Sequence, residues 1–407
     1  MAGPLRFGKL VSLQLKRRTP FLTSKQTLNS LHNHCTRKTP ATFVYIDNGP
    51  SFRNFPRYFS TICTPENEVE TCFYEVKTFG KINIKSPFKL DVQPLKPLDY
   101  PEMNQFICEI FDHNDPPSKS ASGFHKFYGM GVSINDKKDI VNVDIEVAEG
   151  IELPLTCSIK IPIKFNINIE SGDEPVSVKG FEADTINITT KKGDCLLEKL
   201  RCGNVKVVSQ SGDIISATLL QGNIELQTGC SGSISGDRFQ GQNINCTSEH
   251  GGVKIKSLYA DKTLIQAKSG TTHLVNCHGT TNIEQDSGKI KIDSASGDLH
   301  GKINQGDIAV FVADCGKINF EANQGNVDIK LIESVATYFD LEGQSVEINE
   351  SIKHDRNTST NNSESQLTLC GTINGGSDSS SLTVKTKQGQ ITIGQQDWFS
   401  SLNLSSR

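Results

Sequence analysis

Glycine recurs at an almost fixed interval through half of this 407-residue chain, and that interval constrains the fold more than any other feature. Turns in which Gly precedes a short β-type run stand at Gly193, Gly203, Gly212, Gly222, Gly232, Gly251, Gly288, Gly297, Gly306, Gly316 and Gly325. Gly241, Gly270 and Gly279 fill the same ladder with one extra residue before the run. The step is nine or ten residues. One rung is vacant, near Ala260-Asp261, and Gly343 continues the ladder at double spacing. Glycine suits such positions because it adopts left-handed backbone without strain, and Asp or Asn after it favours the turn.

Between the turns, apolar and polar residues alternate. Val205 and Val207 flank Lys206, Ile224 and Leu226 flank Glu225, and Ile290 and Ile292 flank Lys291. Period two means strands with one apolar face. Two turn families interleave: Ser-Gly or Lys-Gly at Gly193, Gly212 and Gly232, and Cys-Gly or Gln-Gly at Gly203, Gly222 and Gly241. The full repeat is then about nineteen residues, with two strands per coil. One coil cannot bury its apolar face alone, but a stack of coils can. The expected fold is all-β: a parallel β-solenoid (β-helix) over residues 151–350, of about nine two-strand coils. An antiparallel sandwich or barrel is the competing architecture. Its hairpins favour Asn-Gly or Asp-Gly, whereas here Gly comes first. The 34 glycines and 7% aromatic content also suit strands and turns better than a helical bundle.

The flanks read differently. Residues 60–150 lack the ladder and are expected to form an irregular β-rich N-terminal cap, since solenoid ends need atypical units to avoid edge pairing. Residues 351–365, rich in Ser, Thr and Asn, are expected to form a flexible loop. Residues 366–407 resume the strand pattern as final coils and a C-terminal cap, with Trp398, Phe399 and Leu402 plugging the core.

Residues 1–59 carry ten Lys or Arg and a single acid, Asp47, with many hydroxyl side chains. That composition predicts a mitochondrial transit peptide, drawn inward by a negative-inside potential. Arg57, Phe59 and Ser60 have the spacing of a matrix processing site, which points to the mitochondrial matrix. The alternative is a cytoplasmic protein with a basic tail. Without the segment, 32 Lys and Arg face 45 Asp and Glu. An acidic body argues against nucleic acid, whose phosphates need clustered cations. No apolar stretch reaches transmembrane length.

Signals for chemistry are sparse. The 12 cysteines include no Cys-x-x-Cys pair, and Cys277-His278 lacks a companion pair, so buried, reduced thiols are expected. His250, His273, His278 and His300 fall in or beside the ladder and read as surface or turn residues. A calcium-binding roll needs several turn oxygens per ion, whereas Lys289 and Lys317 occupy Asp positions here. No catalytic residue, cofactor or metal ligand is therefore predicted. The expected function is a non-enzymatic interaction or scaffold protein of the mitochondrion, with an unidentified protein partner and unassigned oligomeric state. The alternative is a glycan- or polymer-acting enzyme with Asp194, Asp213, Asp298 and Asp307 as a carboxylate cluster.

The run Ile159–Gly343 resembles the putative-adhesin β-repeat family, domain of unknown function 4097. The likeness rests on Ile-Pro-Ile-Lys-Phe-Asn-Ile-Asn-Ile-Glu-Ser-Gly-Asp (161–173), Ser-Gly-Asp-Ile (211–214) and Gln-Gly-Asn-Ile (221–224). It implies β-repeat architecture with adhesion or scaffolding, and supplies no catalytic residues.

Overall fold

The computed structural model describes residues 70–112, 127–361 and 366–396. The basic segment 1–59, the site at Arg57, Phe59 and Ser60, and Trp398, Phe399 and Leu402 lie outside the described residues. The strands in chain order begin β1 (Glu70–Glu75), β2 (Phe79–Ser86), β3 (Lys89–Pro94), β4 (Gln105–Asp112), β5 (Tyr128–Ile134), β6 (Ile140–Val147) and β7 (Leu155–Ile161). The ladder follows as β8 (Lys164–Ser171), β9 (Val176–Lys179), β10 (Glu182–Thr190), β11 (Cys195–Glu198), β12 (Leu200–Ser209), β13 (Ile214–Thr228), β14 (Ile234–Ser248), β15 (Val253–Ala267), β16 (Thr271–Gln324) and β17 (Val327–Leu331). The chain then runs through β18 (Thr337–Gly343), β19 (Ser345–Ile348), β20 (His354–Asn361), β21 (Gln366–Ile373), β22 (Ser381–Gln388) and β23 (Gln390–Gln395).

Pairing within the ladder is parallel, which identifies a β-solenoid and overturns the sandwich alternative. One column runs through Ile188, Val207, Leu226, Cys246, Ile265 and Ile283, each paired with the next. All six are buried. A second column runs through Val176, Cys195, Ile214, Ile234, Val253 and Thr272. Each step advances one coil, so period-two alternation aims most apolar side chains inward and most charged ones at solvent. A fully buried aliphatic side chain contributes about 1.5–3 kcal/mol, and the stack repeats that gain at each coil. β16 is a continuous extended run that bends through Gly279, Gly288, Gly297, Gly306 and Gly316.

Buried hydroxyls close the turns along one column. The Thr190 hydroxyl donates to the Gly193 carbonyl, Thr228 to Gly232 and Ser248 to Gly251, each at 2.9 Å. The corresponding residue of the next coil is Ala267, which has no hydroxyl. Gln285, from the following coil, supplies the missing donor. Its amide nitrogen donates to the carbonyls of Gly270 and Ser287, both at 2.9 Å, and its oxygen accepts from Thr272 at 2.8 Å.

At the ends, spatial order departs from sequence order. β2 and β3 form a complete coil inside the parallel ladder. β2 lies between β6 and β8, and β3 between β7 and β9. The expectation of an irregular cap over residues 60–150 is corrected to that extent, because the first coil is held by partners far along the chain. At the other end β22 lies between β16 and β18, and β23 between β17 and β19. Antiparallel strands close the stack. β4 covers β7, β1 covers β4 and β5 covers β6 at one end. At the other end β21 covers β18 and β20 covers β21. The flexible loop expected over residues 351–365 is therefore a strand across His354–Asn361. It lacks alternation because it is the outermost strand of the hairpin. Residues 362–365 lie outside the described residues.

Candidate interaction site

The turn glycines form two columns, one on each edge of the coil stack. Gly193, Gly212, Gly232, Gly251, Gly288, Gly306 and Gly325 share one edge with Gly270. Gly203, Gly222, Gly297 and Gly316 share the other with Gly241 and Gly279. Close approach explains the residue choice. A methyl group on Gly270 would sit 2.8 Å from the Gly251 carbonyl oxygen. On Gly279 it would overlap the Ala260 carbonyl oxygen. Ala260 itself pairs with Gly241 and holds the vacant rung.

The Asp residues after the glycines are engaged by the backbone of the next coil. An Asp194 carboxylate oxygen accepts from the Asp213 amide at 2.8 Å, and Asp213 accepts from the Ser233 amide at 2.7 Å. Asp298 accepts from the Lys317 amide at 2.8 Å, and Asp307 from the Asn326 amide at 2.9 Å. Asp298 follows Gly297 on one edge, whereas the other three follow glycines of the opposite edge. The four carboxylates do not converge. Among the described residues, no group of three or more His, Cys, Asp or Glu side chains is arranged to hold a metal ion.

The cysteines are not uniformly buried. Cys195 and Cys246 are buried, and burial pushes their thiols up to about 11 and about 12. Cys230 and Cys370 are exposed, which corrects the expectation of buried thiols for those two. They sit in outer positions, Cys230 in a turn and Cys370 on the hairpin strand β21.

The second glycine edge carries a shallow groove of about 520 Å³ across successive coils. Glycines and Ala260 make its floor, because residues without long side chains leave the backbone uncovered. Gln221, Gln240, Tyr259 and His278 line one wall, and Asn223, Gln242 and Asp261 the other. No Lys or Arg contributes to it. Register places Gln240 beside Tyr259 and Tyr259 beside His278. The Tyr259 and His278 rings stack with centroids 4.7 Å apart and planes inclined by 7°. Tyr259 is 44% exposed. Asn223 donates to Asn204 at 3.3 Å, so part of one wall is an amide ladder.

A second groove, of about 550 Å³, contrasts with the first. Lys268 pairs with Glu249 at 2.7 Å and the Gln266 amide donates to Glu284 at 2.9 Å, so much of its polarity is spent between coils. The amides of Gln221, Gln240 and Gln242 show no such side-chain bonds among the described residues. Of these two grooves, the first is the better disposed to meet a partner.

Reading glycines one by one missed this wall. Its signal was the column of residues immediately before each glycine, Gln221, Gln240, Tyr259 and His278, which repeats with the coil period. His278, read as a turn residue, belongs to it. Of the other histidines, His273 lies 2.7 Å from Asp293, and His250 lies 3.0 Å from the Ser269 hydroxyl.

Residues 215–394 match the family model described as Toastrack DUF4097. The match starts and ends later than the run 159–343 that carried the resemblance. Two solved structures are similar. One is a putative adhesin from Bacteroides fragilis NCTC 9343, 12% identical, covering 82% of this chain and 99% of its own, with TM-score 0.27. The other is a putative cell adhesion protein from Clostridium sporogenes ATCC 15579, 10% identical, covering 81% of this chain and 100% of its own, with TM-score 0.19. No helix among the described residues is long and apolar enough to cross a membrane.

Proposed function

With this chain a Toastrack-domain protein of the DUF4097 putative-adhesin family, we propose that it is a non-enzymatic interaction protein. The groove over Gly222, Gly241 and Gly279 is its docking strip for a protein partner. One observation carries the reading. The turn carboxylates that could have served catalysis accept backbone hydrogen bonds, while the amides and aromatic pair of the groove stay accessible. Stacked aromatic and amide side chains give a partner contact area with little entropy loss on ordering. The low charge of the groove favours a polar, uncharged stretch of partner backbone over a polyanion.

We place this activity in the mitochondrial matrix, on the strength of the basic, acid-poor first 59 residues. Sequencing the amino terminus of protein isolated from cells tests the location, and a start at Ser60 is expected. An intact Met1 would favour the cytoplasmic alternative. Proximity labelling with the wild-type chain and a Tyr259→Ala, Gln240→Ala double variant tests the docking strip. Neighbours enriched with the wild type and lost with the folded variant are expected. Identical neighbours for both would remove the groove from the proposal.

A further inference from the structure

Three sulfur atoms from three strands meet inside the end of the stack where β4, β5 and β7 lie. Cys108 Sγ on β4 is 3.7 Å from Cys157 Sγ on β7 and 3.8 Å from Met130 Sδ on β5. Cys108 and Cys157 are fully buried, and Met130 is 3% exposed. The chain has three methionines, Met1, Met103 and Met130, and one of these three thioethers sits against a thiol pair. β5 lies over the first strand column and β4 over the second. The contact with Met130 therefore spans the interior of the coil rather than following one sheet.

The two separations are those of sulfurs in van der Waals contact, and they also suit ligands of one ion. With metal–thiolate bonds of about 2.3 Å, tetrahedral or trigonal geometry places neighbouring ligand sulfurs about 3.8–4.0 Å apart. The Cys108–Cys157 distance is far longer than a disulfide bond of about 2.05 Å, so the two sulfurs are separate ligands. Two thiols and a thioether, without imidazole or carboxylate, make a soft donor set. Such a set selects Cu(I) over harder divalent ions.

We propose that Cys108, Cys157 and Met130 form a Cu(I) site. The thiols lose protons to solvent as copper–sulfur bonds form, while the Met130 thioether donates a lone pair unchanged. No electron is transferred, because copper enters and remains as Cu(I). Uptake weakens as pH falls, since protons compete for the same sulfurs.

The test uses the full chain with the exposed Cys230 and Cys370 replaced by Ser, titrated anaerobically with Cu(I) held by a chromophoric chelator. The expected result is one tightly held copper per chain, lost in Cys108→Ser and in Cys157→Ser, with sulfur-to-copper charge-transfer absorption lost in parallel. Met130→Leu keeps the volume and apolar character of the side chain, so a folded variant is expected, with affinity at least tenfold weaker. Circular dichroism and unfolding curves of each apo variant separate lost ligands from lost fold. Copper uptake by the parent no greater than that of folded Cys108→Ser would overturn the site. So would uptake unchanged by Met130→Leu, or peroxide oxidation that joins Cys108 to Cys157 in a chain that takes up no copper.

Discussion

At the residue scale, two kinds of position bear most of the stacking constraint. Turn glycines admit the carbonyl of the neighbouring coil, and buried hydroxyls satisfy the carbonyls that the turns leave inside. Gly251→Ala puts a methyl group into the Gly232 carbonyl. Overpacking of that kind costs about 1–3 kcal/mol. Gly172→Ala meets nothing within 4 Å and should change stability little. A pair of denaturant melts checks the contrast, and equal losses would refute the close-approach argument. Gln285 offers a second check. Gln285→Leu removes the donor that serves the Gly270 and Ser287 carbonyls. The Ser287 carbonyl then loses this donor and the Gly270 carbonyl keeps only the Lys289 amide at 3.1 Å, a loss of about 1–3 kcal/mol in all. Adding Ala267→Ser to that variant should recover part of the loss, because a hydroxyl there repeats the bond Ser248 makes to Gly251. No recovery would mean that Gln285 acts through volume alone.

Between elements, side chains on neighbouring coils supply further ties, and one is pH-sensitive. Asp293 lies 2.7 Å from His273 and 2.8 Å from Lys291. Burial pushes its carboxyl upward, but the hydrogen bonds from Lys291 and His273 outweigh that and hold it below the usual range. A folded value below the unfolded one, about 3.9, gives a stabilisation fully present above that value. It is lost as pH falls through the folded value. Asp293→Asn should therefore be less stable than wild type at pH 7, with the gap narrowing below about pH 4. Thermal melts across that range measure it, and a gap that widens in acid would contradict the assignment. Much at this scale was legible in the chain. Alternation around Lys206 and Glu225 gave strands, and the glycine period gave parallel stacking. β20 was not legible, because its Ser, Thr and Asn run carries no apolar alternation and its one pairing is with β21. The groove lay half hidden for a related reason: Gln240, Tyr259 and His278 are neighbours only across coils.

For the molecule as a whole, the sequence reveals neighbours where coils succeed one another, and conceals them where the order inverts. Lys81 pairs with Ile140 and Lys317 with Ser381. These partners are set by the apolar faces of distant segments, which carry no spacing signal. The inversion makes a prediction. Deleting residues 381–407 removes the strands that separate β16 and β17 from β18 and β19. The exposed parallel edges should then pair between molecules. Size-exclusion chromatography is expected to show larger assemblies and a lost cooperative melt, whereas a well-behaved shortened protein would argue that the outermost strands close the gap themselves.

The placement of β2 and β3 also bears on how the native state is reached. A newly made chain exposes its earliest strands long before Ile140 and Lys164 exist to flank them, and its latest strands must slip between two layers already made. Growth from a single seed, one layer after another, cannot produce that arrangement. Both pairs of inserted strands behave like the tongue of a buckle, and the assembly is fastened only when β22 and β23 have arrived, which makes for slow, long-range closure.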